Sequence, residues 1–413
     1  MGPRRIGQDD LASALPPGGR VLVGSCSGES LWLADAVMRA GGRIGATTFT
    51  GVFVPGLNTR TYLANPDCRV ETFFLTPELK AAGAAVKFLP LCYADILARL
   101  KSLRFDAALF MASPPDAKGV CGFGPVVDFL AELWPAIPVR IAHINPRLPR
   151  VASPCAIPFD ALTAYCEAEQ ELLGFAEGAD DALAEAIGAN VARFVPDGAT
   201  LQTGLGRIST AALRALRGRR GLRIHSGLIP DAVCDLLDAG AMAPGVSIVG
   251  GVAIGARRLY DRVGESAFRF EPVSRTHSPE VIRALATPVA INSTLEVDLY
   301  GQAYSEFGPR GLMSGPGGAS DVSRGVWAAG GLRILALAAS AGKGATSRIV
   351  PAGEGAGPVS LGRMDTDVVV TEYGAADLRG LDHHERARAL IAIAPPDHRE
   401  KLGESWAALA ARF

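Results

Sequence analysis

Two glycine-dense loops and one strand end carry the residues of this chain whose types and spacing suit chemistry. In "TGLGRIST" (203–210) Gly204 and Gly206 stand just before a helical pattern, and in "SGPGGASDV" (314–322) Gly315, Gly317 and Gly318 crowd around Pro316. Glycine leaves backbone N–H groups bare, so loops of this kind suit a phosphate, a thioester or a developing oxyanion. Pro316 stiffens the second loop while the N–H groups of the two glycines after it stay free. Taken alone, each loop reads equally well as an ordinary tight turn. The strand end is "LRIHSGLIPD" (222–231), where an apolar run closes on His225, Ser226 and Gly227 with no acid before Asp231. A histidine, with its pKa near about 6.5, is partly neutral at cell pH and can act as a general base on water. The plainer reading of His225 is a packed, hydrogen-bonded strand-end residue. Ser226 has no evident base partner, and Asp231, after Pro230 and before "AVCDLLDAG", reads as a helix N-cap.

Acids offer fewer openings. "VVVTEYGAADLRG" brings Glu372 to the carboxyl end of an apolar strand, where open α/β sheets bind ligands, though a structural hydrogen-bond acceptor is its plainer role. "INSTLEVDLYGQAYSE" (291–306) sets Asn292, Glu296, Asp298 and Glu306 on a strand-like stretch, where buried acids are costly unless partnered. No metal site is expected from six histidines and seven scattered cysteines without a C-x-x-C pair. His383 and His384 read as the solvated start of a helix.

These residues need strands and helices to hold them. "GGRVLVGSCSGESLWLADAVMRAGG" runs as strand, small-residue loop, periodic helix and glycine stop. "PDGATLQTGLGRISTAALRALRG" repeats the plan, matching Pro17 with Pro196, Gly19 with Gly198 and Leu22 with Leu201. The repeat predicts an α/β protein of two similar open α/β/α domains, 1–185 and 186–413. Further strands are expected at 106–113 and 139–145, nearly continuous apolar runs, and in "LRIHS", "VSIVGG", "VAINST" and "DVVVTEYG". The stretch 160–195 between the halves is helical in composition, with breaks around 174–181.

With 413 residues the chain is long enough for two cores. Its 41 Lys and Arg against 42 Asp and Glu leave a net charge of −1, so no broad field favours nucleic acid or an anionic membrane. No run reaches the roughly 18 apolar residues of a membrane span, and the amino-terminal segment lacks the apolar core of a signal peptide. Seven cysteines, an odd number, fit reduced thiols in a cytoplasmic protein.

The order and wording of "ASPPDAKGVCGFGPVVDF", "INPRLPR", "PDGATLQTGLG", "RRLYDRV", "AINSTLEVDLYGQAYSE", "SGPGGASDV", "SRIVP", "VVVTEYGAADLRG" and "PPDHREKL" resemble the acetyl-CoA hydrolase/transferase family over nearly the whole chain. The resemblance implies two α/β domains of the CoA-transferase type, with the active site in the cleft between them and coenzyme A mainly on the second. It implies acyl-CoA and a small carboxylic acid as substrates, no permanently bound cofactor, and a homodimer. In such enzymes a glutamate attacks the thioester, forms a mixed anhydride and then carries CoA as an enzyme-bound thioester. Oxyanion stabilisation would fall to Gly204, Gly206, Gly317 and Gly318, and CoA binding to Gly315, Gly317, Gly318 and Glu372. Where the family places its nucleophile, between His225-Ser226 and Asp231, this chain has Gly227, and glycine cannot form an anhydride. The expected activity is therefore an acyl-CoA hydrolase, or a transferase in which the acceptor carboxylate attacks directly. The alternative is a non-catalytic CoA binder. A glutamate placed at 227 is expected to restore some transfer through a glutamyl thioester.

Overall fold

The computed structural model of the chain describes residues 2–175, 181–308, 311–342 and 344–412. Two compact units result: Met1–Ala176 with Val249–Thr276, and Glu177–Ile248 with His277–Phe413. The chain therefore does not divide by a single crossing at 185/186, because Val249–Thr276, which begins within "VSIVGG", groups with the first unit. Its strand, Ile248–Ala253, is tied to the loop at 125–127 by Val127 N–H to the Gly251 carbonyl at 3.0 Å and Ala253 N–H to the Pro125 carbonyl at 2.8 Å. These long-range backbone bonds leave no trace in composition.

In the first unit, eight strands form one parallel sheet in the order Arg4–Arg5, Ala164–Glu167, Val139–Ile144, Ala107–Ala112, Arg20–Val23, Thr48–Gly51, Arg69–Thr72 and Val86–Phe88. Every residue of Ala107–Ala112 is buried, as its unbroken apolar run predicts for a central strand. The helix Leu31–Ala40 starts where the Ser30 hydroxyl accepts from Leu33 N–H at 3.0 Å. Its Leu33, Ala36 and Val37 join Val21, Phe49, Val70 and Leu109 in the core. The helical composition of 160–195 is only half realised. Ala182–Ala192 is a helix, but Ala164–Glu167 is a strand with Ala164 and Cys166 buried beside Val139–Ile144. An open place in the ladder outweighs a weak helical propensity there. Residues 176–180, within the expected breaks, lie outside the described residues.

The second unit carries Arg223–Ile229, Thr200–Thr203, Pro288–Ser293, Leu332–Ala336 and Val368–Thr371 as adjacent parallel strands, closed by the antiparallel Gly374–Asp377. The internal repeat is present, shifted by one residue. Gly18 and Gly198, with φ of 68° and 74°, turn the chain into Arg20–Val23 and Thr200–Thr203. The next carbonyls, Gly19 and Ala199, accept from Thr48 and Arg223 on the neighbouring strands. Gly18 rather than Gly19 is thus the counterpart of Gly198. The left-handed turn sets the register, and matching by residue type puts the paired strands on opposite faces.

Candidate active site

Parallel strands deliver their carboxyl ends to one edge of a sheet, and the second unit places its chemistry there. Thr203 and Ser226 lie side by side on adjacent strands, the Ser226 hydroxyl donating to the Thr203 carbonyl at 2.9 Å. Ser226 is fully buried and spent on this bond, which removes it as a nucleophile. Gly204 follows Thr203 directly, and Gly206, with φ of 111°, begins the helix Arg207–Ala215. The register thus brings the first glycine loop beside the strand end that holds Gly227.

Gly227 is only half-buried, yet a side chain there would meet the ring of His277. A Cβ there would lie 2.5 Å from Nε2 of His277, and a Cβ at Gly318 would also lie 2.5 Å from the same nitrogen. Both would come closer still to ring carbons, Cε1 from the 227 side and Cδ2 from the 318 side. The imidazole of His277 is therefore held edge-on between two bare backbone segments. Gly318 is the N-cap of the ten-residue helix Ala319–Ala328, so the ring also faces a helix amino terminus. His277 is 6% exposed. Burial pushes its pKa down to about 3, and the neighbouring His225 adds to the effect. The ring is neutral at any physiological pH.

Of the residues singled out in the sequence, the fold brings Gly227 and Gly318 onto one imidazole and His225 beside it. Gly317 precedes Gly318 with φ of 64°, and Gly315 is buried in the same loop. Glu372 is elsewhere: four strand steps separate Val368–Thr371 from Arg223–Ile229, about 19 Å at the usual spacing. Its carboxylate accepts the Ala339 N–H at 2.8 Å, the structural role that was its plainer reading. Asp231 does precede the helix Ala232–Asp238, but its side chain makes no cap hydrogen bond. Its φ of −55° and ψ of −34° are already helical, and an N-cap side chain reaches back only from extended backbone.

The remaining acids serve the scaffold. Asp298 accepts from the N–H groups of Tyr300, Gln302 and Gly353, at 2.9 to 3.0 Å, and from the Tyr304 hydroxyl at 3.1 Å. Glu296 accepts the Ala356 N–H at 2.8 Å. Glu306, raised in pKa by burial, takes the Ser360 hydroxyl at 3.0 Å. In the first unit Glu29 is fully buried, with Asn58 Nδ2 at 2.9 Å and the Tyr62 hydroxyl at 3.0 Å on its two oxygens. Burial raises its pKa. Neither Glu29 nor His277 was found from the sequence. Before Ser278 and Pro279, His277 looks like the lead-in to a short helix, and its partner Gly227 is far away in the chain. Among the described residues no group of His, Cys, Asp and Glu is arranged to hold a metal, and no helix is long and apolar enough to cross a membrane.

Residues 255–406 match the family model of the acetyl-CoA hydrolase/transferase C-terminal domain. Over 311 residues, 73% of this chain and 72% of the relative, the chain is 38% identical to the 4-hydroxybutyrate coenzyme A transferase of Clostridium kluyveri. The crystal structure of RipA from Yersinia pestis is similar with a TM-score of 0.90 at 26% identity, covering 98% of this chain and 97% of that one. The 4-hydroxybutyrate CoA-transferase of Porphyromonas gingivalis is similar with a TM-score of 0.81 at 30% identity, covering 99% and 98% of the two chains.

Proposed function

Because this chain belongs to the acetyl-CoA hydrolase/transferase family, we propose that it acts on short acyl-CoA thioesters without building a glutamyl thioester on itself. Either a small carboxylate acceptor attacks the bound thioester directly, or water does. The observation that carries this reading is the pair Gly227 and His277: the position expected for the nucleophile has no side chain, and an imidazole fills the space beside it. The engagement of Glu296 by Ala356 N–H and of Glu306 by Ser360 supports the absence of a substitute carboxylate nucleophile. The names of the relatives, among them 4-hydroxybutyrate coenzyme A transferase and butyryl-CoA:acetate CoA-transferase, support short acyl groups and CoA exchange. A non-catalytic CoA-binding protein is the second reading, favoured by the same missing carboxylate.

Purified protein offered a panel of short acyl-CoAs, with and without acetate, separates these readings when free thiol and CoA exchange are followed independently. We expect turnover, and we expect borohydride added during incubation neither to inactivate the protein nor to change its mass. An adduct mapped to Glu296, Glu306 or any other acid restores the conventional double-displacement route. Absence of both thiol release and exchange across the panel leaves the binder.

The reading extends to a cytoplasmic homodimer. A net charge of −1 gives copies little mutual repulsion, and Trp327 and Met364, 67% and 69% exposed, line one groove of the second unit. Sedimentation at micromolar concentration is expected to give twice the chain mass; a monomer there refutes it.

A further inference from the structure

The slot between Gly227 and Gly318 is filled from a third segment. Nε2 of His277 is the ring nitrogen 2.5 Å from a Cβ built at either glycine, while Nδ1 lies further from the 227 side, at 3.3 Å from a Cβ built there. Gly227, Gly317 and Gly318 are each only partly buried, so this corner of the sheet edge is reached from solvent through backbone without side chains. We propose that His277 is the catalytic group in the place of the absent carboxylate, working from Nε2 as a neutral hydrogen-bond donor to the thioester oxygen. This rests on the reading of the chain as an acyl-CoA enzyme without a glutamyl intermediate.

A donor suits the surroundings better than a base or a nucleophile. The ring is buried against a helix amino terminus, whose partial positive charge opposes an imidazolium. The neighbouring His225 adds to that opposition. A ring that cannot take up a proton can still donate one hydrogen bond, and a neutral histidine at a helix amino terminus polarises a carbonyl by this means. In the transfer reaction an oxygen of the acceptor carboxylate bonds to the thioester carbon, and the carbonyl electrons move to its oxygen. The Nε2–H then faces the oxyanion. Collapse breaks the C–S bond and leaves a mixed anhydride of the two acids with CoA thiolate. The thiolate adds to the acceptor's carbonyl through a second oxyanion, and the donor acid leaves as its carboxylate. No proton is consumed, and the imidazole keeps its hydrogen throughout.

The test uses His277→Phe, which fills the slot without a donor, and His277→Asn, which keeps an N–H on a shorter side chain. Losing one preorganised donor costs on the order of 100-fold to 1000-fold in kcat. We expect such a fall in kcat for His277→Phe with KM changed only a few-fold, and a smaller fall for His277→Asn. A fully folded His277→Phe with unchanged kcat reduces His277 to a spacer and overturns the proposal while leaving the functional reading intact. No turnover by the unmutated protein, or a trapped acyl adduct on one of its acids, overturns both. Should His277→Phe not fold, the ring-nitrogen NMR resonances of unmutated protein decide. Addition of an acetyl-CoA analogue with CH2 in place of the thioester sulfur is expected to shift the protonated Nε2 signal. A His277 resonance that stays in place, or a ring protonated only on Nδ1, refutes the assignment.

Discussion

Gly227→Glu in the otherwise unchanged protein is expected to lose stability and to show no glutamyl-thioester transfer, even though it supplies the residue that the family resemblance asks for. The Cβ alone would come within 2.5 Å of His277 Nε2, and the carboxylate extends several bonds further into the same ring. Gly318 lies against the other side of the imidazole, so the ring cannot simply step away in that direction. Overpacking of a filled site typically costs about 1–3 kcal/mol. We expect the midpoint of urea unfolding to fall accordingly. Joining Gly227→Glu to His277→Ala removes the obstruction, and the double variant is expected to recover stability relative to the single one and to acquire a borohydride-trappable adduct at position 227. A single variant that is as stable as the unmutated protein and already carries the adduct contradicts this account of the slot. On this account the restoration expected from the sequence is expected to need both changes.

His277 is also expected to make the protein sensitive to mild acid. In the unfolded chain a histidine titrates near about 6.5, whereas the folded ring titrates at about 3. Between those values the unfolded state binds the extra proton, so stability falls as pH drops through 6.5 and levels off only near 3. Over the span from pH 7.5 to 5 the loss is roughly 2 kcal/mol. Asp128, pushed up to about 7 by burial, titrates in the same window with the opposite sign, because its folded form prefers the proton. The informative quantity is therefore the difference in unfolding free energy between the unmutated protein and His277→Asn, measured by urea at each pH. That difference is expected to shift against the unmutated protein by roughly 2 kcal/mol on going from pH 7.5 to 5. A difference independent of pH shows that the ring titrates normally in the fold.

The family, the α/β class and the main strands were legible from the sequence because they rest on local and repeated signals. Unbroken apolar runs such as Ala107–Ala112 admit few structures other than a covered strand, and Gly206 with φ of 111° or Gly317 with φ of 64° marks a turn wherever it stands. That Gly227 stands where the family pattern leads one to expect a carboxylate is an expectation from one segment, His225 to Asp231, and the proposal builds on it. The neighbour of Gly227 was not visible. His277 reaches Gly227 only because the segment before Pro279–Arg283 passes over the end of Arg223–Ile229 and meets the amino terminus of Ala319–Ala328. Three segments converging from distant parts of the chain have no common periodicity. The same reason explains why Val249–Ala253 groups with the first unit and why the repeat slipped by one residue: backbone hydrogen bonds and a left-handed turn decided both. Local pattern determined what each segment is, and long-range packing determined which side chain lies against Gly227 and Gly318.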